Sequence, residues 1–223
     1  MNHLSVKAGF RALLALLVLS LLGGCESTYY SMWEKVGVYK RDLLVDSVED
    51  AQESQQEAKE EFATALERFS TVVSVGPSDL KDTYEKLSES LEDAEEQAGE
   101  VSEHIDEVED VSDDLFTEWR KEIDLISNAN LRSASAKQLK ASEAKYADLI
   151  KAMRRAESRM EPVLVAFRDN VLFLKHNLNA QAVASLKTEL GSIESNVSTL
   201  IREMEASIAE SQDFIRDMEL IEG

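Results

Sequence analysis

The sequence predicts an all-α protein, a long antiparallel helical bundle or coiled coil of four helices running up-down-up-down. Three observations predict it. Ala, Glu, Lys, Leu and Arg fill 103 of the 223 positions, a composition typical of long helices. Helix breakers are scarce, with only 8 Gly and 2 Pro. Apolar residues recur at alternating spacings of four and three along most of the chain, and no period-two run rises above that pattern to suggest a strand. The formal net charge of −20 makes nucleic acid an unexpected partner, because phosphate binding needs an excess of Lys and Arg.

Residues 1–24 read as a signal peptide rather than as part of the fold. Lys7 and Arg11 precede an apolar run at 12–22 that only Ser20 interrupts. At about 1.5 Å per residue the run is too short for a bilayer core of roughly 30 Å, but it has the length of a signal h-region. It ends Leu21-Leu22-Gly23-Gly24-Cys25, with the only cysteine of the chain. Small residues before the cut let a peptidase grip extended backbone, and a thiol is the nucleophile that thioether lipid attachment requires. The arrangement resembles the lipobox of bacterial lipoproteins. That resemblance implies cleavage between Gly24 and Cys25, acylation of Cys25 (palmitate among the chains), and the membrane as a partner through that lipid. By the same rule Asp after the cysteine retains a lipoprotein at the inner membrane. Here Glu26 follows, which implies an outer-membrane lipoprotein facing the periplasm. A single cysteine also leaves no internal disulfide to form.

Residues 25–28 are expected to be a short tether, and 29–223 a single elongated helical domain. Three breaks divide that domain. Val75-Gly76-Pro77-Ser78 combines a flexible residue, a helix breaker and a cap. Ser127-Asn128-Ala129-Asn130 is the second, with Ser133 as the expected cap of the next helix. Asn177-Leu178-Asn179 is the third, with Asn179 as cap. Between them the seams run from Leu44 to Val72, from Leu80 to Trp119, from Leu139 to Leu174 and from Leu186 to Ile221. Heptads sustained this long specify helices packed through a narrow seam.

Pro162 falls inside the third segment, and a kink is expected there, because Val163, Phe167 and Leu174 keep the register of Met153 and Met160. Charge favours one pairing in particular. Residues 79–125 carry a net −15 and residues 131–176 a net +5, so the third helix is expected beside the second. Tyr29, Tyr30, Trp33 and Tyr39 suit either a membrane interface or a seal against Phe214 and Met218 at the end of the bundle.

Residues that could carry chemistry are few. Gly76 lacks the Gly-Lys-Ser/Thr context of a phosphate loop. His104 and His176 lack the Glu three residues earlier that a di-iron bundle uses. Pairs such as Glu95-Glu96 and Asp113-Asp114 read as solvated helix faces. No enzyme activity, cofactor or metal is therefore expected. The stretch 167–180 stands out, since its apolar residues cover nearly the whole helix circumference and a polar cluster closes it. It is either a thickened core in which Asn170 fixes register or a surface that docks a partner. The candidate partner-surface residues are Phe167, Arg168, Asn170, Leu172, Phe173, Lys175, His176 and Asn177.

Several segments, Gly37-Val38-Tyr39-Lys40-Arg41-Asp42, Leu115-Phe116-Thr117-Glu118-Trp119, Met153-Arg154-Arg155-Ala156-Glu157, Met160-Glu161-Pro162-Val163-Leu164 and 167–180, resemble an uncharacterised family of Gram-negative bacterial lipoproteins. It is catalogued as a domain of unknown function, so the resemblance implies envelope placement and assigns no activity, cofactor or catalytic residue. The expected function is that of a structural or adaptor lipoprotein that binds another envelope protein. The alternative is a binding module for an apolar or cationic ligand in envelope lipid or stress traffic. Oligomeric state is not legible in the sequence.

Overall fold

The computed structural model describes the backbone of residues 25–74 and 80–220, and side chains from residue 40 onward within those spans, apart from 180, 219 and 220. The expected signal peptide of residues 1–24, the Val75-Gly76-Pro77-Ser78 break and the side chains of Cys25, Tyr29, Tyr30, Trp33 and Tyr39 lie outside the described residues. Among the described residues there are five helical segments and no strand. They are α1 (Cys25–Ser74), α2 (Leu80–Leu125), α3 (Ala129–Glu157), α4 (Met160–His176) and α5 (Ala180–Leu220). The chain divides into two units, Met1–Arg41 and Asp42–Gly223, and the division falls within α1. The first unit contributes helical backbone and the side chains of Lys40 and Arg41 to the described residues; the buried core lies in the second.

The four seams read from the spacing form that core. In α1 all nine seam positions from Leu44 to Val72 are buried, Gln55 among them. In α2, α3 and α4 the exceptions are Tyr84, Tyr146 and Asn170, all half-buried. In α5 Leu190 is half-buried and Ile221 lies outside the described residues, while the other seam positions are buried. Two aromatic contacts cross between seams. Phe69 meets Phe167 with ring centroids 6.2 Å apart, and Phe116 meets Tyr146 edge-on at 5.5 Å.

Cross-helix pairs give the directions. Trp119 Nε1 donates to Ser135 Oγ at 2.9 Å, Ser102 Oγ to Glu157 at 2.7 Å and Arg168 Nε to Glu95 at 2.8 Å. Positions on α2 descend as those on α3 and α4 climb, so they run antiparallel. Lys145 with Asp217 (3.1 Å) and Arg155 with Glu203 (3.7 Å) show the same for α3 against α5. The connection of residues 126–128 is too short for any other arrangement of α2 and α3.

Two local expectations are corrected. The cap of α3 is Asn128 rather than Ser133. Its Oδ1 accepts from the Asn130 and Leu131 amides at 2.9 and 3.3 Å, and the helix starts at Ala129. Asn128 is already extended (φ −73°, ψ 114°), which satisfies the first free amides before Ser133 is reached. The third predicted helix is also not continuous through Pro162 but interrupted ahead of it. It stops at Glu157 and restarts at Met160. Ser158 and Arg159 keep right-handed dihedrals, but the Arg159 amide bonds three residues back to Ala156 O at 3.0 Å. In a continuous helix the Pro162 ring would collide with the Ser158 carbonyl and leave it without a donor. The interruption moves Pro162 into the first turn of α4, where an amide hydrogen is not needed. The seam crosses unbroken, with Met153, Ala156, Met160 and Val163 all buried. The Asn179 cap is as expected, its side chain accepting from the Ala182 amide at 3.0 Å.

The core is not uniformly apolar. Ser54, Ser112 and Ser211 return their hydroxyls to carbonyls of their own helices. Gln55, fully buried, has no protein partner for either amide atom. Burying an amide without a partner costs about 1–3 kcal/mol. Gln55→Leu is therefore expected to stabilise the fold by about 1–2 kcal/mol in urea titrations, and a loss of stability would show that the amide is satisfied. Gly191 sits exposed inside α5 with nothing within 4 Å of a Cβ added to it. Gly191→Ala should add roughly 0.5–1 kcal/mol by the same measurement.

Candidate functional site

The stretch 167–180 spans the end of α4, a turn, and the start of α5. Its residues separate by face. Val163, Phe167, Val171 and Leu174 point into the core with Leu164 beside them. Phe167 is 1% exposed, so its place on a docking surface is corrected. Seven residues before Leu174 and against Phe69, it occupies the seam, where burial of its ring outweighs exposure.

The polar members are divided between backbone and ion pairs. Asn170, half-buried, donates its amide to the Ala166 carbonyl at 2.6 Å and so serves its own helix. Asn177 leaves helical geometry at φ −135°, ψ 58° and donates Nδ2 to the Phe173 carbonyl at 2.9 Å, closing the last turn of α4. Arg168 is tied to α2, with Nε and Nη2 2.8 and 2.6 Å from Glu95 Oε1 and Nη1 3.6 Å from Glu161. The Glu95 bond, followed by the Glu95 charge, holds the guanidinium above its ordinary pKa.

The outward residues are Leu172, Phe173, Lys175 and His176, joined by Leu178 in the turn. Leu172 is 56% exposed, Phe173 40% and Leu178 43%. Lys175 and His176 occupy the last turn of α4, where the Lys175 charge complements the carbonyl end of the helix dipole. The structure therefore reduces the predicted surface to an apolar cluster with a basic edge. Sequence reasoning passed over a second exposed apolar pair, Leu125 and Leu131 on either side of the α2–α3 turn. The signal was present, since both leucines fall outside the heptads that hold Ile123 and Leu139.

Among the described residues no three His, Cys, Asp or Glu side chains are grouped so as to hold a metal ion. No described helix is long and apolar enough to cross a membrane. A groove of about 720 Å³ between α1 and α5 is open to solvent and lined by Glu49, Glu53, Glu57, Gln212 and Arg216.

No curated protein and no solved structure matches the chain. One family model does, described as a protein of unknown function (DUF2959), over residues 29–218. That span takes in nearly all of the helical chain, its four seams as far as Met218 and both exposed clusters, and the protein belongs to the DUF2959 family.

Proposed function

We propose that the protein is an outer-membrane lipoprotein facing the periplasm, held by acyl chains on Cys25, and that it acts as an adaptor whose α4–α5 end binds another envelope protein. The anchor rests on the basic start, the apolar run of residues 12–22 and the Gly24-Cys25 junction. Two or more acyl chains suffice for stable attachment without a spanning helix.

The adaptor role rests on one observation. Leu172, Phe173 and Leu178 are all exposed at the α4–α5 end of the unit, while the seams are buried. Covering a fully exposed leucine or phenylalanine side chain is worth about 1.5–3 kcal/mol, so three half-exposed ones form a useful contact. The Lys175 and His176 edge selects an acidic rim on the partner. The groove between α1 and α5 is wide open and gives a small ligand little to be enclosed by.

Two outcomes test the two halves of this reading. Cys25→Ser should shift the protein from the membrane pellet to the soluble fraction and abolish palmitate labelling; retention with labelling intact would remove the anchor. A photoreactive residue at position 173 should yield in-cell adducts with one heterologous envelope protein, and Leu172→Asp should remove them while helicity is unchanged. Adducts only within the chain or between its copies would reject the adaptor role.

A further inference from the structure

The α2–α3 turn lies in one of the two longest acid-free stretches after residue 25, the other being residues 170–188. Residues 125–142 contain no acid in a chain with 44 of them, and carry Arg132, Lys137 and Lys140. Lys121, Lys137 and Lys140 are exposed. Two acids stand close by at the end of α2, Glu122 half-buried and Asp124 exposed, while Glu143 is held by Arg120. Between Leu125 at 65% exposure and Leu131 at 62% the turn presents a bare apolar pair. It is a firmly made turn. Asn128 caps α3, the Ile126 amide bonds to Ile123 O at 3.2 Å, and Arg132 Nη1 donates to Ile126 O at 3.2 Å.

This turn also stands clear of α5. Lys145 pairs with Asp217 near the end of that helix, and α3 continues back to Ala129. At 1.5 Å per residue α3 reaches roughly 20 Å past Leu220, the last described residue of α5. Along this overhang residues 129–138 are exposed except for Ser135, which Trp119 holds. The end is also the one where the chain enters the unit. Lys59 lies 3.9 Å from Glu205, while the earlier residues Glu49 and Gln52 line one groove with the later residues Gln212 and Arg216, so α1 runs antiparallel to α5 and Asp42 lies toward the C-terminal end of α5.

We infer that the α2–α3 turn docks on an anionic lipid surface, with Leu125 and Leu131 entering the headgroup layer and Lys121, Lys137 and Lys140 facing lipid phosphates. Exposed leucines flanked by lysines match the chemistry of an interfacial anchor. Charge complementarity favours lipid over a second copy of this chain, because the opposing face would have to be acidic and apolar at once. The inference rests on the lipoprotein reading, since the acylated Cys25 precedes the point where α1 enters at this end.

The test places a solvatochromic fluorescent amino acid at Ser127 in the full chain and adds phosphatidylcholine vesicles with or without one-quarter phosphatidylglycerol. Emission should shift to the blue only with the anionic lipid, and doxyl-labelled lipid should quench it. Leu125→Ser with Leu131→Ser should weaken the response at least tenfold with helicity retained. Lys121→Glu with Lys137→Glu and Lys140→Glu should do the same. The same probe at Lys175 should stay silent. No shift, an equal shift with neutral lipid, an equal shift at Lys175, or a probe already shielded before vesicles are added would each overturn the inference. The mass of Cys25 in the same sample separates the two ideas. An acylated cysteine with a silent turn rejects this inference alone, and an unmodified cysteine with a responding turn rejects only the anchor.

Discussion

The described bundle depends on how a strongly acidic helix is held. Residues 79–125 carry a net −15, and a helix of that charge resists packing against any neighbour without cations. Arg154 supplies the central one. Its Nη2 lies 2.5 Å from Asp106 and 2.6 Å from Glu109, and its Nη1 lies 2.9 Å from Glu157. The Glu109 bond above all, then Asp106 and Glu157, raises the guanidinium pKa against the opposing effect of burial. Glu157 in turn accepts from Ser102 on α2. Surface pairs are worth little singly, but a shared guanidinium spanning two helices fixes their relative register. Arg168 to Glu95 repeats the arrangement on α4, beyond the interruption.

This clamp explains how the chain tolerates the interruption. Arg154 and Glu157 pin the last turn of α3 to α2 immediately before Ser158, so α4 restarts from a fixed point. Without that, two free residues in front of a proline would let the seam drift. With it, Ala156, Met160 and Val163 remain in line.

Much of this was legible in the residues. Heptad spacing located the buried face of every described helix because a narrow seam admits one registration, and a slip by one residue would bury a charge. The pairing of α2 with α3 was legible in charge, for the same reason that Arg154 matters. Local backbone choices were less so. Ser133 and Asn128 are both competent caps, and the earlier one prevails because the chain needs only a few residues to reverse. At Pro162 the sequence shows that a donor is missing, not that the turn before it absorbs the defect. At the candidate surface, circumference alone did not separate Phe167 from Phe173. The seam register that holds Phe167 and not Phe173 does so, and Phe69 of α1 covers the seam ring.

The interruption has a consequence for motion. Each continuous stretch of helix tends to open as a unit, and the free energy of opening falls as there are fewer bonds to break. Helix α4 has 17 residues and is bounded by a three-residue-back bond on one side and the Asn177 turn on the other. Its amides should exchange with solvent ahead of those in the middle of α2 or α5. Opening of the segment that displays Leu172 and Phe173 would release Arg168 from Glu95 but leave the Arg154 clamp fastened.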